Sequence, residues 1–598
     1  MENYSDIYQF VKSQEENYKL PIDIMGWRWN MPEHIKTSFY YKNGRLLTGN
    51  TDDKPVKNIT RPILNLQYRT EDIDVKDILL YVEDPERYHL SFLVKKYHDD
   101  VFVIENNVDD FLDKLNESRI DYGGGLSKKG SGLPEVVPLE SIAFCDQTDI
   151  LSGPIGIRHY YSPDQLKEME KKGWGDKKNG ATVTVDELIT LCQSEKQSVD
   201  GQISETPGKY VEIYEVHGVF KNKWLKDTDD EGYSRQLHII SYYHGANDEK
   251  IGVTLFKGKE EEQVFKMVIR DPIYGRALGF GGAEELFEPQ VWVNYDQIRM
   301  KELLDAASKV ILQTDDDAIA ARHPSGLKGM DNLEILTVAD GKRVGQLDTF
   351  PRNITLFERS ISEWEAHAQQ MGAANDSIMG VSPTSGTPFK LQELVTEESR
   401  GLHTFRRGKF AKHVEEIYRD WTIPSIVEKI SKGVKFLSNL TLEEMQLVSE
   451  NIVNKVANNL IKERILNGEM ISDEEVEALK MQTRDSFMKD NKKFIEILKG
   501  ELKDAPIKVK INIAGKQKNM ASQVDKLVNI FRQIASAPQI LDDPRMAKIF
   551  NQILEGSGLS PIDFGYLKKK EATPELPTET PPVTSTEPLQ DLSKNLQQ

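Results

Sequence analysis

The chain has 598 residues, a formal net charge of −19, 38% hydrophobic and 29% charged residues, a length that suggests roughly three to five domain-sized units. It has no run of about 18 apolar residues, which excludes a membrane-spanning helix. Its only cysteines, Cys145 and Cys192, exclude a disulfide framework and a cysteine-only zinc site and suit a reducing compartment. The acidity is opposite to the basic face of a DNA-reading module. It fits a solvated acidic surface, or one that lies beside DNA without adhering to it.

The first stretch, MENYSDIYQFVKSQEENYKL, has neither a basic start nor an apolar core and does not read as a secretion signal. Residues 1–60 carry Trp27, Trp29, Phe39, Tyr40 and Tyr41 between turn signals, and read as an arm that packs on a neighbouring surface. From 61 to 285 helix and strand signals mix. DVKDILLYV (74–82) reads as the opening of a helix, and YHDDVFVIEN (97–106) as containing a β-like run. NVDDFLDKLNES is a helix with Asn107 in the cap position. PEVVPLESIAF (134–144) is extended, and YYSPDQLKEMEKKG is a helix started by Ser162-Pro163 and stopped at Gly173. KYVEIYEVHGVF, QLHIISYYHG and KIGVTLFKG alternate or are β-branched, which predicts antiparallel strands and an α+β domain.

Residues 283–313 then take helical spacing through Leu286, Val291, Ile298, Leu304, Ala307 and Ile311. A β-rich insert (323–351) follows, in which EILTV runs into an Asp340-Gly341 turn. Helix resumes over 353–376 on a stripe of Leu356, Ile361, Trp364, Ala368 and Met371. A pliant loop rich in Ser, Thr, Gly and Pro interrupts it, SIMGVSPTSGTPFKLQEL (377–394), with Thr387-Pro388 able to cap what comes next. Residues 391–421 keep a helical period through Leu391, Leu394, Leu402, Phe405, Val414, Ile417 and Trp421. Residues 440–505 form a polar helical block, KVKINIAG (508–515) a strand, and 518–566 further helices. The Pro/Thr/Glu-rich 571–592 is too poor in apolar residues to fold.

No catalytic constellation accompanies these elements: there is no GxSxG, no kinase pair of motifs and no Cys–His pairing. RIDYGGGLSKKGSG (119–132) lacks phosphate-cradle spacing and reads as a flexible hairpin loop. In YGRALGFGGAEELF (274–287) the glycines precede a helix that opens with two glutamates, which repel phosphate, so a loop-to-helix junction is expected. His367, His403 and His413 lack metal-ligand spacing. Asp315–Asp317 reads as a solvated turn, and Glu260–Glu262 as a run that could attract Mg²⁺. Arg400, Arg406, Arg407, Lys409 and Lys412 are interleaved with Glu397, Glu398, Glu415 and Glu416, which favours ion pairs over a nucleic-acid face. No catalytic residue, metal or cofactor is expected.

The order of these elements resembles the portal protein of tailed double-stranded DNA bacteriophages. YGRALGFGGAEELFEPQVWVNYDQIRMKELLDAA is similar to that family's lead into its first stem helix, and MGVSPTSGTPFKLQELVTEE to its tunnel loop and the long helix after it. IKVKINIAGKQKNMASQVDKLVNIF is similar to its late strand and helix, and PLESIAFCDQTDILSGPIGIRHYYSPDQL to a wing segment. The resemblance spans about residues 60–565. It implies an N-terminal arm (1–60), an α+β wing (61–285), stem helices at 286–320 and 354–375, and a clip between them at 321–353. A tunnel loop (376–389), a long wing helix (390–432), a helical block (433–505), a returning wing strand (506–517), a crown (518–566) and a disordered tail (567–598) complete it.

It further implies a homo-oligomeric ring, usually a dodecamer, at one capsid vertex of a virion assembled in the host cytoplasm. The ring is not a membrane protein or an enzyme. Double-stranded DNA would pass non-specifically along Ser377, Met379, Val381, Ser382, Thr384, Ser385 and Thr387, with Gly372, Gly380 and Gly386 as hinges. Asp340, Lys342, Arg343 and Gln346 of the clip would meet the terminase large subunit and later head-completion or adaptor proteins. Major capsid and scaffold proteins would surround the ring. The competing expectations are another phage structural ring, such as an adaptor or baseplate protein, and a nucleotide-dependent enzyme gripping an anion at Gly279–Gly282.

Overall fold

The structure, a computed structural model, describes residues 4–44, 56–82, 88–130, 132–193, 210–225, 232–244, 250–307, 312–316, 318, 338–346, 354–374, 376–379, 400–432, 442–467, 472–489 and 507–511. They fall into two compact units divided at residues 440/441 and 480/481. The fold is α+β. The polar block holds helices Leu442–Leu466, in the smaller unit, and Asp473–Lys489, which crosses the second division. The larger unit carries the rest.

Its centre is a five-stranded antiparallel sheet in the order β10-β9-β8-β7-β6, from β6 (Ile142–Phe144), β7 (Ile155–Tyr161), β8 (Val211–Lys221), β9 (Tyr233–His244) and β10 (Lys250–Lys259). Alternation places successive side chains on opposite faces. Ile155, Ile157, Tyr214, Val216 and Ile240 fill one core, while Val211, Ile213, Ile239, Val253 and Leu255 fill the other. The three strands read from KYVEIYEVHGVF, QLHIISYYHG and KIGVTLFKG are present here as β8, β9 and β10. So is the helix Pro163–Met169, whose capping box joins Ser162 to Gln165 and whose final turn runs to Gly173 in a left-handed conformation.

Residues 4–44 belong to this body rather than forming an arm. Helix α1 (Ile7–Tyr18), capped by Asp6, a hairpin of β1 (Ile22–Ile24) and β2 (Trp27–Trp29), and α2 (Met31–Lys42), capped by Asn30, follow one another. Ile7, Val11, Trp29, Met31 and Ile35 share the core of Phe144 and Ile155. Buried Gln147 fixes them, accepting from the Met31 amide at 2.8 Å and donating to the Tyr18 and Leu20 carbonyls. Of the aromatics in this segment Trp29 packs inward, Tyr40 and Tyr41 are half-buried, and Trp27 and Phe39 are exposed.

Three further expectations are corrected. DVKDILLYV forms a 3₁₀ turn and then strand β3 (Ile78–Val82), paired antiparallel with β14 (Ile507–Ile511), so its apolar run is a half-buried strand with a distant partner. YHDDVFVIEN is helical: Tyr88–Tyr97 passes through a π turn, His98–Phe102, into Val103–Asn106. Asn107 then turns left-handed (φ 53°) to begin the helix Val108–Tyr122 without a side-chain cap bond. The glycines at 123–125 are not a loop. Gly123 (φ 81°) ends that helix, and Gly124–Lys128 is strand β4, the middle of a sheet with β11 (Phe265–Ile269) and β5 (Glu135–Val137). A Cβ on Gly123 would sit 2.2 Å from the Gly279 carbonyl oxygen, and one on Gly125 2.8 Å from Leu115. Here glycine permits close approach as much as it permits the turn.

Candidate functional site: a helix pair, its strand pair and a buried charge node

Helices α8 (Phe287–Ala307) and α9 (Ile354–Met371) run antiparallel. Trp292 stacks on Trp364 at 6.1 Å, and four residues further along Asp296 accepts from Ser360 at 2.6 Å. Ile361 and Ala368 are buried as expected, but Leu304 and Leu356 are exposed. α8 instead buries Val293 beside Gln290, Asn294 and Asp296. The polar residues have a task. Helix α3 (Thr60–Glu71) starts at Ile59, which has no capping side chain, and Gln290 substitutes for one. Its Oε1 accepts from the Ile59 amide at 2.8 Å and from Thr60, and its Nε2 donates to the Lys57 carbonyl. A hydrophobic-period reading cannot see this.

Between the helices, β12 (Leu312–Thr314) pairs antiparallel with β13 (Val344–Gln346). Asp340 and left-handed Gly341 lie in the expected turn, closed by the Lys342 amide donating to Ala339. Asp340, Lys342 and Arg343 are exposed, and Gln346 pairs with Leu312. Asp316 is buried rather than solvated, accepting from the Ala318 and Ala339 amides. Of EILTV, only Val338 is within the described residues.

α9 leaves through a turn at 372–374. Gly372 is closely packed: a Cβ there would lie 2.4 Å from Ile63, and its carbonyl accepts from Gln67 at 3.2 Å. The left-handed residue is Ala373 (φ 52°). Ala374 and Ile378 are buried with Ile63 and Leu64. Ser377 and Met379 lie in a short helix, Asp376–Met379, and Met379 is exposed. Gly380, Val381, Ser382, Thr384, Ser385, Gly386 and Thr387 lie outside the described residues, as do Thr387-Pro388 as a cap and residues 518–566 and 567–598.

The long helix α10 comprises Gly401–Ile417, a π turn Tyr418–Thr422, and Ile423–Lys432. It exposes Leu402 and Phe405 and buries His403, Arg406, Arg407, Phe410, His413, Val414 and Ile417. Arg406 and Arg407 of the cationic cluster therefore point inward, to carboxylates on other elements, while Lys412 is exposed. Arg407 pairs with Asp77 at 2.7 Å, and Arg406 with Asp271 at 2.8 Å and Glu285 at 3.4 Å.

At the centre sits Glu71 of α3, fully buried. Arg119 lies 2.7 Å away, His403 3.1 Å, Arg270 3.6 Å and Arg406 4.0 Å. Burial pushes its carboxyl up, but Arg119, the hydrogen bond from His403 and Arg270 outweigh that and hold it at about 2. His403 Nε2 also reaches the Ala373 carbonyl at 3.1 Å. The node thus ties α3, α5 (the helix Val108–Tyr122), the exit of β11 and α10 to the turn after α9. One signal marks it in the sequence: positions 403, 406/407, 410, 413/414, 417 and 421 keep a helical period once histidine and arginine are counted as core.

The Gly279–Gly282 junction is packed with protein. Cβ positions at Gly279, Gly281 and Gly282 fall within 2.5 Å of the Asp271 carbonyl, the Asp121 carbonyl and Gln67. Arg276 spans the junction, donating to the Leu278 and Gly279 carbonyls and pairing with Glu284. Glu260 and Glu262 are engaged by His217 and Lys129. Cys145 and Cys192 are both free thiols.

These elements define an α+β protein in which an antiparallel helix pair, with the two-stranded β12–β13 pair between its members in the chain, accompanies the five-stranded sheet. No family model and no curated protein matches the sequence. Among solved structures the chain is similar to one from the virion of a native gene transfer agent particle, at 9% identity and a TM-score of 0.28, covering 79% of this chain and 98% of that one. It is also similar to one from the neck of an empty gene transfer agent particle computed with C6 symmetry, at 8% identity and a TM-score of 0.32, covering 66% and 90%. Likenesses this loose leave function to the chain's own residues.

Proposed function

We propose that this chain is a portal-type subunit: a non-enzymatic structural protein of a phage-like particle that closes into a ring and conducts double-stranded DNA. The observation that carries the reading is the antiparallel pair α8–α9 with the two-stranded antiparallel pair β12–β13 between them in the chain, followed by residues 376–389 and the long helix α10. This is the element order the sequence resemblance implies for stem, clip, stem, tunnel loop and wing helix. The small, uncharged residues Val381, Ser382, Thr384, Ser385 and Thr387 suit sliding contact, because they form no strong phosphate bond that each step must break. The exposed Asp340, Lys342 and Arg343 at the turn before β13 would meet a packaging terminase and then head-completion proteins. Side-by-side heterologous contacts would close the ring.

The anion-grip alternative is disfavoured, since protein atoms already fill the space beside Gly279, Gly281 and Gly282. The test is the purified protein's mass in solution, with negative-stain images of any large species. A ring near twelve subunits with a central channel supports the proposal. A compact dimer stabilised by a nucleotide refutes it, and a ring whose α8–α9 pair does not surround the channel favours an adaptor or baseplate ring.

A further inference from the structure

The proposed function leaves the charge node without a part, yet the node holds the turn by which the chain leaves α9. His403 is 1% exposed and sets both ring nitrogens against acceptors, Nδ1 3.1 Å from the Glu71 carboxylate and Nε2 3.1 Å from the Ala373 carbonyl. Neither oxygen donates. A neutral imidazole has one N–H and satisfies one of them, whereas an imidazolium satisfies both.

The other groups around the node are Glu71 and Gln67 from α3, Arg119 from α5, Arg270 and Asp271 at the exit of β11, Glu285 ahead of α8, and Arg406 from α10 itself. Glu71, Asp271 and Glu285 balance Arg119, Arg270 and Arg406. Hydrogen-bond geometry therefore calls for a second proton on His403, while charge balance opposes it. A neutral ring keeps its N–H on the carboxylate, the stronger acceptor. The bond then lost is the one to Ala373, whose left-handed backbone is already strained for a residue with a Cβ.

We propose that His403 is a proton-operated latch: doubly protonated it ties the Gly372–Ala374 turn to Glu71, and singly protonated it releases Ala373. The latch is a property of one subunit. Only its purpose, setting how the chain enters residues 376–389, rests on the portal reading.

The test is hydrogen exchange by mass spectrometry on the full chain between pH 5.5 and 8.5, corrected for the intrinsic rate. The amides of Gly372, Ala373 and Ala374 donate to Ala368, Gln370 and Gln369, so their protection reports the turn. Their protection should fall about tenfold or more between pH 5.5 and 8.5, the worth of one charge-assisted bond, and should stay flat in His403→Gln. An equal step in His403→Gln overturns the latch. If that variant does not fold, a wild-type profile with no step does so alone. Subunit number measured on the same samples separates the two readings: a step in a chain that never assembles keeps the latch and removes the portal, and a ring without a step does the reverse.

Discussion

Replacing Glu71 with glutamine keeps the side chain's shape and removes its charge. Arg119 and Arg270, both essentially buried, then lose their shared anion. Arg270 keeps Glu285 at 3.4 Å and Arg406 keeps Asp271 at 2.8 Å, so Arg119 is left with Asn116 and the ring of Phe410. Breaking a buried pair from one side costs about 3–5 kcal/mol. The pH route gives a similar figure: a carboxyl held at about 2 against an ordinary 4.5 corresponds to about 3 kcal/mol at neutral pH. At about 2 °C per kcal/mol for a unit this large, the Tm of the larger unit at pH 7 should fall by about 6–10 °C. The sign with pH follows from the lowered carboxyl. Its stabilisation is present above the ordinary value of 4.5 and is lost as pH falls from there towards the folded value. Scanning calorimetry at pH 7, 4.5 and 3 should show the variant's deficit shrink in the last step. A deficit below about 2 °C at pH 7, or one that does not narrow in acid, would refute the reasoning, because desolvation would then cancel the pairing.

Gly123→Ala places a Cβ 2.2 Å from a backbone oxygen at φ 81° and should cost roughly 2–4 kcal/mol, measured as a lowered denaturation midpoint; an unchanged midpoint would mean the β4 junction yields. His217 lies 2.7 Å from Glu260 and 3.1 Å from Glu215. Burial alone would lower its imidazole pKa, but those two carboxylates outweigh it and raise it. Its contribution is therefore complete below the ordinary imidazole value of 6.5 and is lost as pH rises through the folded one. His217→Gln should lose about 1.5–3 kcal/mol at pH 6 and less at pH 8.5, read from paired thermal melts; equal losses at both would contradict this. Reversing Lys342 and Arg343 to glutamate, both exposed at the turn before β13, should change stability by no more than about 0.5 kcal/mol and, on the portal reading proposed above, abolish capture of a packaging terminase; undiminished capture would remove the clip assignment.

The long strands were legible because period-two patterning is a local signal: β8 buries Val211 and Ile213 on one face and Tyr214 and Val216 on the other. β3 was not, because ILLYV takes its identity from a partner strand at the far end of the described chain. The glycines of β4 were misread because glycine marks both a turn and a surface where a helix must come close, and only Leu115 and Gly279 decide between them. The helix pair was visible as two periodic stretches around an insert, but its buried face was not, since Gln290 is inside for its hydrogen bonds to α3. The node was hidden for the same kind of reason. Arginine and glutamate on helices normally face water, and the inward turn of Arg119, Arg270 and Arg406 depends on Glu71 meeting them from another element.

The pairing of β3 with β14 also sets a schedule for synthesis. As the chain leaves the ribosome, Ile78–Val82 emerges early, with its hydrogen-bonding edge open, while Ile507–Ile511 does not yet exist. Until nearly the whole described chain has been made, that edge offers a template to any other extended segment, including the same strand in a neighbouring nascent chain. A polypeptide cut short before residue 507 would carry that open edge permanently. Quality control of this protein therefore operates at its finish: completed chains can seal the strand themselves, and unfinished ones remain candidates for aggregation or degradation.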